Sequence, residues 1–278
     1  MKEIIVAIDF SACSLHALDY AVLLANKIEA NIQMVWVDTH IEKDSPFEAI
    51  KLDNRSDIKA NFEDLCKKYL PKLSSGKISY KLRKGKIYNE IATQAIQEKA
   101  YIIVVGTHGV SGYEELWIGS NAYRIVTHAP CPVITLRQSL EIEDRLSTMV
   151  LPIDSTIETL QKLPFAVNLA KIYNSTIHLV SVYPTFLETL KHKVDANSQK
   201  AIQFLEENKV NFVHNNIRSD DLTKSTITYA VKVEADLVAI MTEQGVSKKS
   251  VFLGQNAQQL VSNSTVPLLV IRPENNKK

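Results

Sequence analysis

The chain has 278 residues, is 45% hydrophobic and 23% charged, and carries a formal net charge of +1. That length admits one large domain or two ordinary ones, and the composition is that of a globular protein. The near-zero charge supplies no field-driven attraction to nucleic acid or to an anionic membrane.

The first apolar run, Ile4 to Ile8, is nearly continuous, as a parallel strand buried on both faces should be. Its position at the very start leaves no room for a signal peptide, no apolar run approaches transmembrane length, and a cytoplasmic protein is expected. Asp9 or Ser11 is placed to cap a helix whose stripe is Leu15, Leu18, Ala21, Val22 and Ala25. Ile32 to Val37 reads as a second strand. Asp38 to Asn54 is polar, contains Pro46, and reads as a loop or a frayed helix start. Ile58, Phe62, Leu65, Cys66 and Tyr69 form the next helical stripe, which Pro71 stops. Lys77 to Arg83 alternates as a strand. Gly85 allows a turn, and Ile87, Ile91, Ala92, Ala95 and Ile96 mark a helix.

Tyr101 to Val105 is another buried strand. It runs into Gly106-Thr107-His108-Gly109, then Gly119-Ser120-Asn121, and a helix from Ala122 to His128. Pro132 to Leu136 closes this half. Five strands alternating with four helices argue for a parallel sheet with right-handed crossovers. The three cysteines, Cys13, Cys66 and Cys131, are an odd number without metal spacing and read as reduced thiols.

Gln138 to Thr148 is charged and aperiodic, and reads as a linker. The pattern then repeats. Met149 to Ser155 restates Ile4 to Phe10, and Ile177 to Val182 restates Ile32 to Val37, both at an offset of 145. Ala235 to Ile240, Val251 to Gly254 and Pro267 to Arg272 restate Ala100 to Val105, Leu116 to Gly119 and Pro132 to Arg137 at an offset of 135. Two homologous domains are expected, 1–138 and 147–273, with a polar tail.

The Gly106 loop is the candidate site. Backbone N–H groups between a strand and a helix start face an anion well, and glycine lets the chain approach it. Gly106 and Gly109 would do so in the loop, and Gly119 at the helix entry. Ser120 would cap that helix or offer its hydroxyl to an anion. Asp9, at the same sheet edge, is either a helix cap or an acceptor for ribose hydroxyls. His108 is either a phosphate contact or an exposed loop residue.

The spacing Gly106, two residues, Gly109, nine residues, Gly119, Ser120 resembles the motif of nucleotide-binding universal stress proteins, as does the flanking Ala129-Pro130-Cys131-Pro132-Val133. Asp9-Phe10-Ser11 is similar to that family's early Asp-x-Ser. The resemblance covers both halves. It implies an α/β chain of two tandem flavodoxin-like (Rossmann-like) domains, each a five-stranded parallel sheet of order 3-2-1-4-5 with helices on both faces.

It also implies a nucleotide site. Val37 would hold adenine through its backbone, with Asp9, Phe10 and Ser11 at the nucleoside. Gly106, His108, Gly109, Gly119, Ser120 and Asn121 would surround the phosphates. The implied ligand is ATP, with ADP or AMP as alternatives and magnesium only through the phosphates; no catalytic residue and no dedicated metal ligand is expected, and at most slow ATP hydrolysis. The family's pairing of fifth strands implies that Pro132–Leu136 lies antiparallel to Pro267–Ile271, with a homodimer as a further possibility. Neither nucleic acid nor membrane is expected as a partner.

The second copy departs from the motif. Met241 and Gln244 stand at the positions of Gly106 and Gly109, and Gln255 at that of Ser120. Gly254, Asp154 and Val182 remain, and Gly245, Lys248 and Lys249 are the residues that would rescue a different loop. The expected function is therefore an ATP-binding stress-response or regulatory protein with one competent site, in the first domain. The alternative is a nucleotide-independent interaction module built as an internal pseudo-dimer. An adenylating enzyme would need a Ser-Gly-Gly-x-Asp-Ser loop after the first strand, and neither it nor the P-loop of common NTPases is present.

Overall fold

The structure, a computed structural model, describes residues 1–39, 48–108, 119–244, 251–252 and 254–273. Gly109, Gly245, Lys248 and Lys249 lie outside the described residues. The first half runs β1 (Lys2–Ala7), α1 (Ala12–Ile28), β2 (Ala30–Asp38), α2 (Glu48–Tyr69), β3 (Ile78–Lys84), α3 (Ile87–Gln97), β4 (Ile102–Gly106), α4 (Ser120–His128) and β5 (Val133–Leu136). The second half runs β6 (Thr148–Ile153), α5 (Leu163–Tyr173), β7 (Thr176–Tyr183), α6 (Glu188–Glu207), β8 (Phe212–Arg218), α7 (Leu222–Lys232), β9 (Leu237–Met241), a short hairpin of β10 (Glu243–Gln244) and β11 (Val251–Phe252), α8 (Gln255–Asn263) and β12 (Leu268–Ile271). Among the described residues no helix is long and apolar enough to cross a membrane.

Ten strands form one sheet in the order β3-β2-β1-β4-β5-β12-β9-β6-β7-β8. Each half therefore has strand order 3-2-1-4-5 and parallel pairing, and the halves meet antiparallel through Leu268–Thr135, Leu269–Ile134 and Val270–Val133. This joins the two edge strands that separate domains would leave unpaired. Strand alternation divides the core in two. Ile4 and Val6 face a layer with Leu18 of α1, Phe62 of α2 and Val167 of α5. Ile5 faces the other layer, with Ile91 of α3, Ile125 of α4, Ala230 of α7 and Leu260 of α8.

Local chemistry explains where these elements start and stop. The chain leaves β1 through Phe10 at φ 62°, a left-handed conformation that is uncommon for a bulky residue. Its ring is held on Phe62, 4.8 Å between centroids, and Phe62 stacks on Tyr80 at 5.0 Å. Ser11 caps α1 by accepting from the Ser14 N–H at 3.2 Å. A 3-10 turn carrying Pro71 ends α2. The polar stretch after Asp38, read from sequence as loop or frayed helix start, holds the first turns of α2 from Glu48; residues 40–47 are outside the described ones. The linker packs rather than hangs free. Leu146 is buried, Asp144 pairs with Lys27 at 3.6 Å, and the Arg137 guanidinium donates to the Ser262 carbonyl at 3.0 Å. Tyr101 joins the halves as well, receiving a bond from Asn168 at 2.9 Å and packing on Phe165.

Candidate functional site

A cleft of about 450 Å³ opens at the carboxyl ends of β1, β2 and β4, where open α/β sheets bind ligands. Asp9, Val37, Gly106, His108, Gly119, Ser120 and Asn121 all line it. Phe10 and Ser11 are not in its wall: the ring of Phe10 turns into the core, and Ser11 spends its hydroxyl on the cap and on Asp9. Gly109 cannot be placed against it. Trp36, Asp38, Thr39, Ile87 and Ile91 add a wall beside the end of β2 that the glycine spacing alone did not reveal.

The two described glycines have a packing role that sequence reasoning assigned only to ligand approach. A Cβ on Gly106 would stand 2.7 Å from Cys13 Sγ and 2.9 Å from the Cys13 carbonyl oxygen. Gly106 therefore lets the first turn of α1 lie directly against the end of β4. A Cβ on Gly119 would meet the Thr107 carbonyl oxygen at 2.9 Å, the same oxygen that accepts from the Gly119 N–H at 2.8 Å. This bond draws the start of α4 onto the end of β4. The starts of α1 and α4 are thereby both held against the end of one strand.

Gly119, not Ser120, occupies the cap of α4. Its carbonyl accepts from the Tyr123 N–H at 3.0 Å, which makes Ser120 the first helical residue. The Ser120 hydroxyl is thereby left exposed beside the orphan N–H groups of the first turn. Asp9 accepts at Oδ1 from the Ser11 N–H (3.0 Å) and Ser11 Oγ (2.6 Å). These bonds fix the carboxylate at the rim of the cleft. His108 is held through Nδ1 to Thr107 Oγ1 at 2.9 Å. Its Nε2 is shielded from solvent and has no hydrogen-bond partner among the described residues. A buried ring nitrogen without a partner asks for one, and His108 is part of the wall of a ligand-sized cleft. Among the described residues no lysine or arginine is in the wall, so the donors they offer an anion are N–H and hydroxyl groups. Among the described residues no group of three His, Cys, Asp or Glu side chains converges as for a metal ion.

The equivalent cleft of the second domain holds about 240 Å³. Met241 lines it in place of Gly106, and the first turn of α1 has no α-helical counterpart: a 3-10 turn spans Glu158–Leu160, and α5 begins only at Leu163. Gln244, at the position of Gly109, lies in the β10–β11 hairpin. A larger opening of about 580 Å³ lies between the halves, walled by Pro130, Pro132, Pro164 and Phe165. It is mainly apolar, and Ile271 and Arg272 at the end of β12 complete its wall.

A sequence profile of the universal stress protein family matches residues 1–137 and 146–272. A universal stress protein of Methanocaldococcus jannaschii is 29% identical over 145 residues, 49% of this chain and 82% of that protein. One from Bacillus subtilis is 26% identical over 152 residues, 49% of this chain and 99% of its own length. Among solved structures, a universal stress protein from Archaeoglobus fulgidus overlays with a TM-score of 0.78 at 14% identity, covering 99% of this chain and 97% of that one. A functionally unknown protein from Pseudomonas aeruginosa overlays at 0.64 and 16% identity, covering 98% and 93%. These overlays speak to the fold, and span both halves. The chain belongs to the universal stress protein family, as two tandem copies of its domain.

Proposed function

We propose that the first-domain cleft binds an adenine nucleotide, ATP foremost, and that the protein acts by binding in a stress-response or regulatory role rather than by turnover. The observation that carries this is the convergence of the α4 start, the exposed Ser120 hydroxyl and His108, whose Nε2 has no partner among the described residues, in the wall of one cleft. Phosphate oxygens would take these donors. Asp9 at the rim would receive ribose hydroxyls, and the wall from Val35 to Thr39 would flank the base. Magnesium would arrive on the phosphates.

Isothermal titration of the full chain with ATP and magnesium tests the proposal. Saturable binding is expected, weakened about 10-fold to 100-fold by Asp9→Ala through lost charge-assisted bonds. Asp154→Ala, at the matching position of the second domain, should leave that isotherm unchanged. No heat with the wild type, or an unaltered affinity in Asp9→Ala, would refute it.

A further inference from the structure

The second-domain cleft is changed in kind, not merely closed. The first cleft draws on the end of β2 for a wall, through Val35 to Thr39. No residue of β7, the matching strand, lines the second. The side that would meet a base is missing, and Met241 occupies the position of Gly106.

Polar groups have entered instead. Lys162 stands where the first copy has Ala17, and is 2% exposed. Its Nζ donates to the Thr159 carbonyl at 2.7 Å and to Thr159 Oγ1 at 3.1 Å. An ammonium has three donors, so one is left over among the described residues. Thr242 is 1% exposed, and its Oγ1 has no partner among the described residues. Its counterpart Thr107 bonds His108, and here Glu243 follows instead. Both Lys162 and Thr242 line the cleft. Asp154 and Glu158 line it too, Asp154 being fixed at Oδ1 by the Thr156 N–H (2.8 Å) and hydroxyl (2.5 Å). A buried ammonium with a spare donor, in the same cleft as a buried hydroxyl with no partner among the described residues, is costly unless a ligand completes both.

The charges select among ligands. One ammonium and two carboxylates line the cleft, so a dianion such as a phosphate monoester would meet net repulsion. A molecule carrying one negative and one positive group satisfies both sets. We propose that this cleft is a separate ligand site for a small zwitterionic carboxylate of the amino-acid class, its carboxylate taken by Lys162 and Thr242 and its ammonium by Asp154 and Glu158. Its volume, 240 Å³ against 450 Å³ in the first domain, fits a ligand of that size class. The proposal stands independently of nucleotide binding in the first domain.

The test is a thermal-shift panel on the full chain with the standard amino acids, acetate, inorganic phosphate and ATP, followed by titration calorimetry of each compound that shifts the melt. At least one amino acid should bind saturably, and more tightly than acetate or phosphate. Thr242→Val, which keeps the shape of the side chain, should weaken that binding about tenfold, and Lys162→Met should abolish it, while the response to ATP is unchanged in both. Absence of an isotherm for every amino acid, acetate or phosphate binding equally well, or undiminished affinity in Thr242→Val would overturn it.

Discussion

Burial pulls the Lys162 ammonium from an ordinary value of 10.5 down to about 8, and the Asp154 carboxylate partly opposes the shift. Between those two values the unfolded chain binds the proton and the native chain releases it, so stability due to this group rises with pH across that window. Below pH 8 both states are charged and the full penalty stands, about 3 kcal/mol for a displacement of this size. Other groups pull the opposite way at higher pH: burial pushes the Cys131 thiol up to about 12, and raises the phenols of Tyr20 and Tyr173. The difference between two chains isolates Lys162. Lys162→Met is expected to gain stability over the wild type at pH 7, with the gain shrinking steadily toward pH 10.5, in urea melts across that range. A gain independent of pH would contradict the assignment. The signal for this residue was in the repeat, where a lysine replaces the alanine of the first copy. A lysine at a helix start ordinarily extends its ammonium to solvent, so its burial was not legible in the sequence.

At the scale of elements, Gly106 couples β4 to α1. Gly106→Ala puts a methyl 2.9 Å from a backbone oxygen of Cys13, which no rotamer change can relieve. A loss of about 1–3 kcal/mol is expected from overpacking, read from urea unfolding midpoints. An unchanged midpoint would mean that α1 does not sit against the strand end. The second copy is consistent with this coupling: Met241 fills the matching place, and a 3-10 turn replaces the opening turn of the helix. Periodicity made the strands and most helices legible, because buried parallel strands are continuous apolar runs and the helices carry clear stripes. It could not show that Ser120 begins α4 while Gly119 caps it, since that depends on the Gly119–Thr107 bond across the loop. Nor could it show that Phe10 leaves the site, because its ring is claimed by Phe62, distant in sequence. Tyr101 is similar: its partners Asn168 and Phe165 belong to the other half.

At the scale of the molecule, duplication gives a single ten-stranded sheet in which β5 and β12 cover each other. A second copy in this position closes the first copy's edge whatever its own cleft binds, so the packing surfaces and the site chemistry are free to diverge. The comparison of Gly106 with Met241, and of Ala17 with Lys162, indicates that they have. The repeat made the asymmetry of the glycine motif visible from sequence, while the buried polar groups of the second cleft became visible only from the fold. Native mass spectrometry of the purified full chain with ATP and magnesium tests the asymmetry most directly. One nucleotide per chain is expected at saturation, with occupancy at lower ATP reduced in Asp9→Ala and unchanged in Asp154→Ala. Two nucleotides per chain, or none at saturating ATP, would contradict it.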